Sequence, residues 1–323
     1  MIAGKANVLC VLKILEKYSD ENHILPMSDL LKKIDFEYGV RLDRRSVYSA
    51  IGLLVDFGYD ISVYEENRKG YYLRSRTFEE AEARLLVDSI LRSAFLPEKH
   101  TADLIEKIQS DLSVHQRKKY KHITANRSQN KTPNSEVFYN IELLGEAIGN
   151  RKQVKFTYLA YDLDKKLKPR RNEKYTVNPY GMICDNERYY LVCSYDGYTE
   201  LSHYRIDRIK SAEIIDKATE VLPKGFDLQS YADNAVYAFG SKPEMIILRC
   251  DNAMLDDVID TFGERVTITP DETGTFKARF SASPEGVVYW ALQYLSHCEV
   301  IEPNNLRETI TSIICKNKYQ DIQ

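Results

Sequence analysis

The 323 residues, 43% hydrophobic and 29% charged, carry enough apolar mass for two or three globular domains and lack the composition of a disordered chain. No apolar run approaches the ~20 residues that a bilayer crossing requires, and no signal-peptide pattern opens the sequence. The formal net charge of −3 identifies no partner, because it hides an asymmetry. Arg117, Lys118, Lys119, Lys121, Arg127 and Lys131 face no acid between Leu112 and Lys131, basic residues outnumber acids from Arg151 to Lys174, and the part after Pro243 is acidic.

The chain begins with an amphipathic helix over Ala6–Tyr18, whose apolar positions are Val8, Leu9, Val11, Leu12, Ile14 and Leu15. Ser28 is the expected cap of a short second helix, Asp29 to Phe36. A third helix starts at Asp43 or Arg44, buries Val47, Ile51, Leu54 and Val55, and stops at Gly58. Two strands follow, Tyr59–Tyr64 and Tyr71–Leu73. Three helices and a hairpin are the plan of a winged helix-turn-helix over residues 1–76. Its third helix presents Arg44, Arg45, Ser46, Tyr48 and Ser49, and the hairpin tip presents Arg68 and Lys69. Arginine forks onto the two acceptors of guanine and serine binds phosphate, so these are the candidate contacts to double-stranded DNA. The alternative is a solvated helix face, or a winged helix that binds protein.

Thr77 with Glu80 opens the next helix, which runs through Phe95, and Thr101–Ser113 forms another. Residues 77–135 read as a helical connector, with a homodimer surface and a mobile, Ser/Asn/Lys/Pro-rich end at Ala125–Asn134. The alternative is that the two helices pad one domain.

From residue 136 to 222 a helix, Glu136–Asn150, precedes strands at Val154–Tyr161, Thr176–Cys184, Arg188–Cys193, Leu201–Ile206 and Ile209–Asp216. Alternation places His203 and Arg205 on one face of a strand and Tyr204 and Ile206 on the other. From residue 223 on, the order is β-α-β-β-α-β: Met245–Cys250, Met254–Phe262, Arg265–Thr269, Thr275–Ser281, Pro284–Tyr294 and Cys298–Ile301, with a last helix at Asn305–Cys315. That order suggests a ferredoxin-like sandwich.

Asn178-Pro179-Tyr180-Gly181, Arg188-Tyr189-Tyr190-Leu191-Val192 and Tyr204-Arg205-Ile206-Asp207-Arg208-Ile209 together resemble the WYL domain of bacterial transcription regulators. Tyr189 stands where that family's Trp-Tyr-Leu triplet has its tryptophan. The resemblance implies a small, bent, Sm-like β-barrel. It is also similar in arrangement to regulators with a winged helix before the WYL domain and an extension after it. The family is thought to sense short single-stranded nucleic acid or nucleotides, which implies such an effector here. Arg170, Arg171 and Arg205 are then expected to hold phosphates, and Tyr158, Tyr180, Tyr189 and Tyr190 to stack bases or wall the cleft, with His203 and Arg208 beside them. His203 also reads as a packing residue, and Arg208 equally as a brace paired with Asp207.

The fold expected is therefore α+β and multidomain, and the function a cytoplasmic, homodimeric, ligand-sensing regulator. A second reading is an accessory protein of a CRISPR-type defence or RNA-processing system that binds single-stranded nucleic acid. A third, nucleotide-processing enzyme, finds no Walker loop, HExxH or G-x-S-x-G elbow to support it, so no catalytic residue and no cofactor is assigned. The six cysteines show no CxxC pair and no Cys/His metal spacing. They read as structural thiols, Cys184 and Cys193 being the two placed on neighbouring strands.

Overall fold

The computed structural model describes residues 6–119, 131–185, 187–198, 200–220, 227–234 and 243–318. They belong to two compact units, residues 1–133 and 134–323. Lys121, Arg127, most of the stretch expected to be a mobile linker and most of the expected loop at 222–240 lie outside the described residues.

The first unit opens with α1 (Asn7–Tyr18), α2 (Met27–Tyr38) and α3 (Arg44–Asp56). Their apolar stripes (Val11, Ile14 and Leu15; Leu30 and Ile34; Val47, Ile51 and Leu54) close into one core with Leu25, Ile61, Tyr71 and Leu73. Val55, expected inside, is 45% exposed. The expected cap at Ser28 is not made. Pro26 holds the N-cap position and Ser28 falls inside the first turn. At α3 the Asp43 carboxylate accepts from the Ser46 amide at 2.7 Å, and Gly58, at φ +93°, follows the last turn.

β1 (Ile61–Ser62) and β2 (Tyr72–Leu73) pair antiparallel. The first strand is shorter than its Tyr59–Tyr64 pattern suggests, because Tyr64–Asn67 closes a helical turn, α4. The Asn67 side chain accepts from the amides of Lys69 (2.7 Å) and Gly70 (2.9 Å) and donates to Ser62 Oγ. Local side-chain bonds thus replace the ladder at the hairpin tip. Leu25 and Tyr71 exchange both backbone bonds at 2.9 Å, pinning the ribbon to the α1–α2 loop. Gly70 permits this approach, since a Cβ there would meet the Leu25 carbonyl oxygen at 2.2 Å.

α5 (Glu80–Arg92), α6 (Glu98–Ser110) and α7 (Val114–Lys119) complete the unit. Glu79, not Thr77, caps α5, because Glu79 and Glu82 satisfy each other's backbone amides reciprocally. These helices are tied to the three-helix part by polar bonds. Arg76 donates to the carbonyls of Ser19 (2.7 Å) and Asp111 (2.5 Å), and Ser113 Oγ donates to the buried Asp20 carboxylate at 2.6 Å.

The second unit starts with α8 (Val137–Gly149). There follow β3 (Lys152–Tyr161), β4 (Leu167–Pro169), β5 (Tyr175–Asp185), β6 (Arg188–Tyr195), β7 (Leu201–Arg205), a 3-10 turn at Ile206–Arg208, and β8 (Ile209–Ala218). All pairings are antiparallel in the order β8-β3-β5-β6-β7, with β4 on the far end of β3. Register shifts in β3 and at Pro179/Gly181 curl the sheet. Leu143, Leu144 and Ala147 of α8 pack on Val154, Phe156, Val177, Leu191, Ile206 and Ile209. Asn134 and Asn140 each donate to the Ile209 carbonyl at 2.7 Å, and Asn134 also to that of Asp207, which fastens the 3-10 turn. A short helix, α9 (Leu228–Asp233), lies on the outer face, where Leu228 fills the space above Gly181.

The rest of the unit comprises β9 (Glu244–Asp251), α10 (Leu255–Phe262), β10 (Thr267–Pro270), β11 (Thr275–Ala282), α11 (Pro284–Gln293), β12 (Cys298–Glu302) and α12 (Asn304–Cys315). The sheet is antiparallel, ordered β10-β11-β9-β12. Ile246, Leu248 and Cys250 alternate inward beneath Val287, Trp290, Leu306 and Ile310. The architecture is mixed α and β, with a helical N-terminal region and curled antiparallel sheets. No helix among the described residues is long and apolar enough to cross a membrane.

Candidate nucleic-acid and ligand interfaces

α3 gives the first unit a polar outer face by arithmetic. Val47, Ala50, Ile51 and Leu54 turn inward, so Arg44, Arg45, Tyr48 and Ser49 turn out, with Ser46 half-buried. Arg44 and Arg45 make no ion pair among the described residues. Tyr48 is only partly available. It is 49% exposed but meets Tyr71 of the ribbon edge-on at 6.4 Å, and burial first, then the Tyr48 hydroxyl, pushes the Tyr71 phenol up. Tyr48 therefore joins α3 to the ribbon. Arg68, at φ +58°, and Lys69 are exposed on the turn that Asn67 organises. Arg74, by contrast, is held by Asp60 and Glu66.

In the curled sheet the expected ligand residues do not gather into one cleft. Arg205 is forked onto Asp207, Nε to Oδ1 at 3.0 Å and Nη2 to Oδ2 at 2.6 Å. The acid is buried and the arginine side chain 20% exposed. Burial works against the Arg205 charge, yet Asp207 outweighs it and holds the guanidinium more firmly protonated than usual. The brace read from sequence as Arg208–Asp207 is thus made by Arg205. Two residues apart, Arg205 and Asp207 reach one another across the start of the 3-10 turn.

Arg208 instead lies over the Tyr161 ring at 5.4 Å, and its buried Nε has no hydrogen-bond partner. Tyr158 is a core residue rather than a stacking platform. It is 7% exposed, its hydroxyl accepts from the Arg205 amide at 3.3 Å, and its ring meets Tyr204 edge-on at 4.8 Å. Burial pushes its phenol up. Tyr190 is directly opposite Arg205 in the β6–β7 register, so these two share a face. Tyr189 packs against the core from the other face.

Arg171 reaches the same ring cluster through Tyr175, whose ring meets those of Tyr158 (6.1 Å) and Tyr204 (5.2 Å) edge-on. Its guanidinium lies 3.6 Å from the Tyr175 ring centre and donates to the carbonyls of Glu173 and Lys174. Tyr175 continues into Phe156, Tyr195 and Tyr204, the last two sharing a hydroxyl–hydroxyl bond. Arg170 is exposed, with its amide bonded to the Tyr158 carbonyl. His203 points away from these rings, on the Arg205 face of the strand. Its Nε2 bonds the Tyr231 hydroxyl of α9 at 2.8 Å with the rings stacked, and burial lowers its pKa while pushing Tyr231 up to about 12. Tyr180 bonds Ser194 Oγ at 2.8 Å and lines a cavity of about 500 Å³ with Ile148, Arg151, Pro179, Ala218 and Glu220.

Sequence reasoning therefore named Asp207 as the bracing acid but gave it the wrong arginine, and it missed Tyr161, Tyr175 and Tyr231 as the rings that decide what the other cations and His203 are free to do. The Arg-x-Asp spacing was the one legible signal. Among the described residues no group of three or more His, Cys, Asp or Glu could hold a metal ion.

The family model of the WYL domain matches residues 139–214, and that of the WCX domain matches residues 242–314. Among solved structures the chain is similar to proteasome accessory factor B/C (PafBC) of Arthrobacter aurescens, at 15% identity and a TM-score of 0.26. The likeness covers 96% of this chain and 48% of that one, so this chain spans about half of its length. It is also similar to a CRISPR Cas-related protein, at 13% identity and a TM-score of 0.38, over 97% of this chain and 90% of that one. No curated protein matches the chain.

Proposed function

From a chain that belongs to the WYL-domain family and carries a WCX extension, we propose a transcription regulator that binds double-stranded DNA through α3 and a short single-stranded nucleic acid or nucleotide through its WYL domain. The observation that carries the reading is the outer face of α3. Arg44 and Arg45 stand exposed and free of ion pairs among the described residues, Ser49 lies beside them, and Arg68 and Lys69 project from the neighbouring turn. Three helices with a two-stranded ribbon pinned to them support a winged helix-turn-helix. In that plan the start of the third helix enters the major groove and the ribbon meets the backbone. The strand order β10-β11-β9-β12 with α10 and α11 supports a ferredoxin-like reading of the WCX part. Leu85 and Leu86, exposed on α5, support a homodimer through residues 77–135. Such a role places the protein in the cytoplasm and assigns it no catalysis and no cofactor.

On the WYL side the ligand would meet Arg208 first. A half-buried guanidinium with an unsatisfied Nε gains a strong, charge-assisted bond when a phosphate oxygen arrives. Arg170 and Arg171 would bring further positive charge, and Arg205 would stay with Asp207. The test has two arms. Footprinting on DNA upstream of the protein's own gene should show a protected site that Arg45→Ala loses. Fluorescently labelled oligonucleotides should bind the wild type and not Arg208→Ala. Tight oligonucleotide binding with no footprint would replace the regulator by the accessory protein; neither signal would remove both.

A further inference from the structure

Cys250 and Cys298 are directly opposite one another on β9 and β12. The next pair along, Asp251 and His297, carries the backbone bond, Asp251 amide to His297 carbonyl at 2.9 Å. Antiparallel ladders alternate, so Cys250/Cys298 is a non-hydrogen-bonded pair, the kind whose Cα atoms approach to about 4.5 Å. That separation falls at the short end of the range that disulfides span. Both side chains point into the same core, 1% and 8% exposed, and both are thiols. Their side chains are within hydrogen-bonding reach of each other.

One of the two thiols has a way out. Cys298 lines a cavity of about 190 Å³ between α11, the edge strand β12 and α12, along with Ala291, Leu295, Arg307, Ile310 and Ile314. The hydrogen bond from the Cys250 thiol favours the thiolate at Cys298 and, with burial, pushes Cys250 up. The reactive sulfur is therefore the one that faces the cavity.

We propose that Cys250 and Cys298 form a peroxide-sensitive dithiol that closes into a cross-strand disulfide inside the WCX domain. The Cys298 thiolate attacks one oxygen of a hydroperoxide. The O–O bond breaks, the alcohol leaves with a proton, and Cys298 becomes a sulfenic acid. Cys250 sulfur then attacks that sulfur, the S–S bond forms, and the S–O bond breaks to release water, which takes the thiol proton. Two thiols lose two electrons and two protons, and the hydroperoxide is reduced to alcohol and water.

Other cysteines provide the contrast. Cys193 is buried with Ser202 O as its acceptor, while Cys184 and Cys315 are exposed. The test uses the full chain with Cys184→Ser and Cys315→Ser, so that no surface thiol takes part. After hydrogen peroxide, unfolding and alkylation, peptide mass spectrometry should recover the Cys250 and Cys298 peptides as one linked species, with Cys10 and Cys193 alkylated, and dithiothreitol should restore both peptides. Adding Cys298→Ser should leave Cys250 a free thiol. Recovery of both peptides alkylated after peroxide, or of Cys298 as sulfinic acid with Cys250 free, would overturn the proposal.

Discussion

The arginines of the two units live in opposite circumstances. On α3, Arg44 and Arg45 stand exposed and make no salt bridge among the described residues. In the WYL sheet, Arg205 is forked onto a buried aspartate and Arg171 lies on a tyrosine face. A cation of the first kind meets a phosphate or a guanine by giving up water alone. Arg171 must also give up a ring face and two carbonyls, and Arg205 must leave a charge behind, where a buried carboxylate stripped of its partner is costly. The same residue type is thus left open to solvent in one unit and built into the architecture of the other, and a neighbouring acid or ring decides which. Arg208, with its ring contact and unsatisfied Nε, stands between these cases.

The sharpest way to break this contrast is Asp207→Ala. Asp207 is 2% exposed, and removing it leaves a half-buried guanidinium without its partner, at a cost of about 3–5 kcal/mol in unfolding free energy. Trp290, the one tryptophan in the chain, lies in the core of the same unit, so its fluorescence in a urea titration follows the loss. An unchanged midpoint would mean that Arg205 is no brace and is available to ligand after all.

Next in size is Gly70→Ala, which attacks the α3 face through the ribbon that supports it. The added methyl must displace the Leu25 carbonyl that the ribbon is pinned to, and overpacking of this sort costs about 1–3 kcal/mol. A lowered melting temperature by circular dichroism checks it. Wild-type melting would show that the ribbon swings freely and does not position Arg68 and Lys69. Arg45→Ala should do the converse. It weakens duplex binding by about 1–3 kcal/mol, the worth of a good base contact, while stability stays within the roughly 0.5 kcal/mol of an ordinary surface change. Equal affinity in a mobility-shift titration would remove Arg45 from the interface.

Periodicity carried the fold a long way and the site only part of it. Val11, Ile14, Val47 and Ile51 repeat at helical spacing, and Ile246, Leu248 and Cys250 at strand spacing, so elements and core faces were legible from local pattern. Helix starts at Met27 and Glu80 were displaced because capping depends on which side chain reaches which amide. Strand alternation correctly separated His203 and Arg205 from Tyr204, but it says nothing about what lies opposite. Tyr231 reaches His203 from a short helix 28 residues on, and Arg171 finds Tyr175 across a turn. The cysteines show the same limit: Cys184 and Cys193 do sit on neighbouring strands, but register decides who meets whom. Cys184 is opposite Tyr189, not Cys193, whereas Cys250 and Cys298 meet across 48 residues because β12 returns to β9. Register between distant strands is a tertiary property that a single sequence does not display.

The smallest expected effect is one of acidity, and it treats the two units side by side. In the first, the His23 and His115 rings stack at 3.6 Å, and Asp20 bonds His23 and Ser113. Burial, then the His23 ring beside it, lowers the His115 pKa below its ordinary 6.5. In the second, burial alone lowers His203. Below about pH 6.5 the unfolded chain therefore takes up protons that these folded imidazoles decline, so each unit loses stability as pH falls from 7.5 toward 5.5. Asp20 adds a later loss. Burial would raise it, but bonds from Ser113, His23 and the Asn22 amide outweigh that and hold it below 3.8, so its contribution disappears only under about pH 4. His115→Phe keeps a ring to stack on His23 but removes the proton site. It should flatten the pH dependence of amide-exchange protection in α1 while leaving the Trp290 urea midpoint as acid-sensitive as in the wild type, and His203→Phe should do the reverse. If neither slope changed, both histidines would be titrating in the folded chain as they do in water, and their burial would have no linkage to folding.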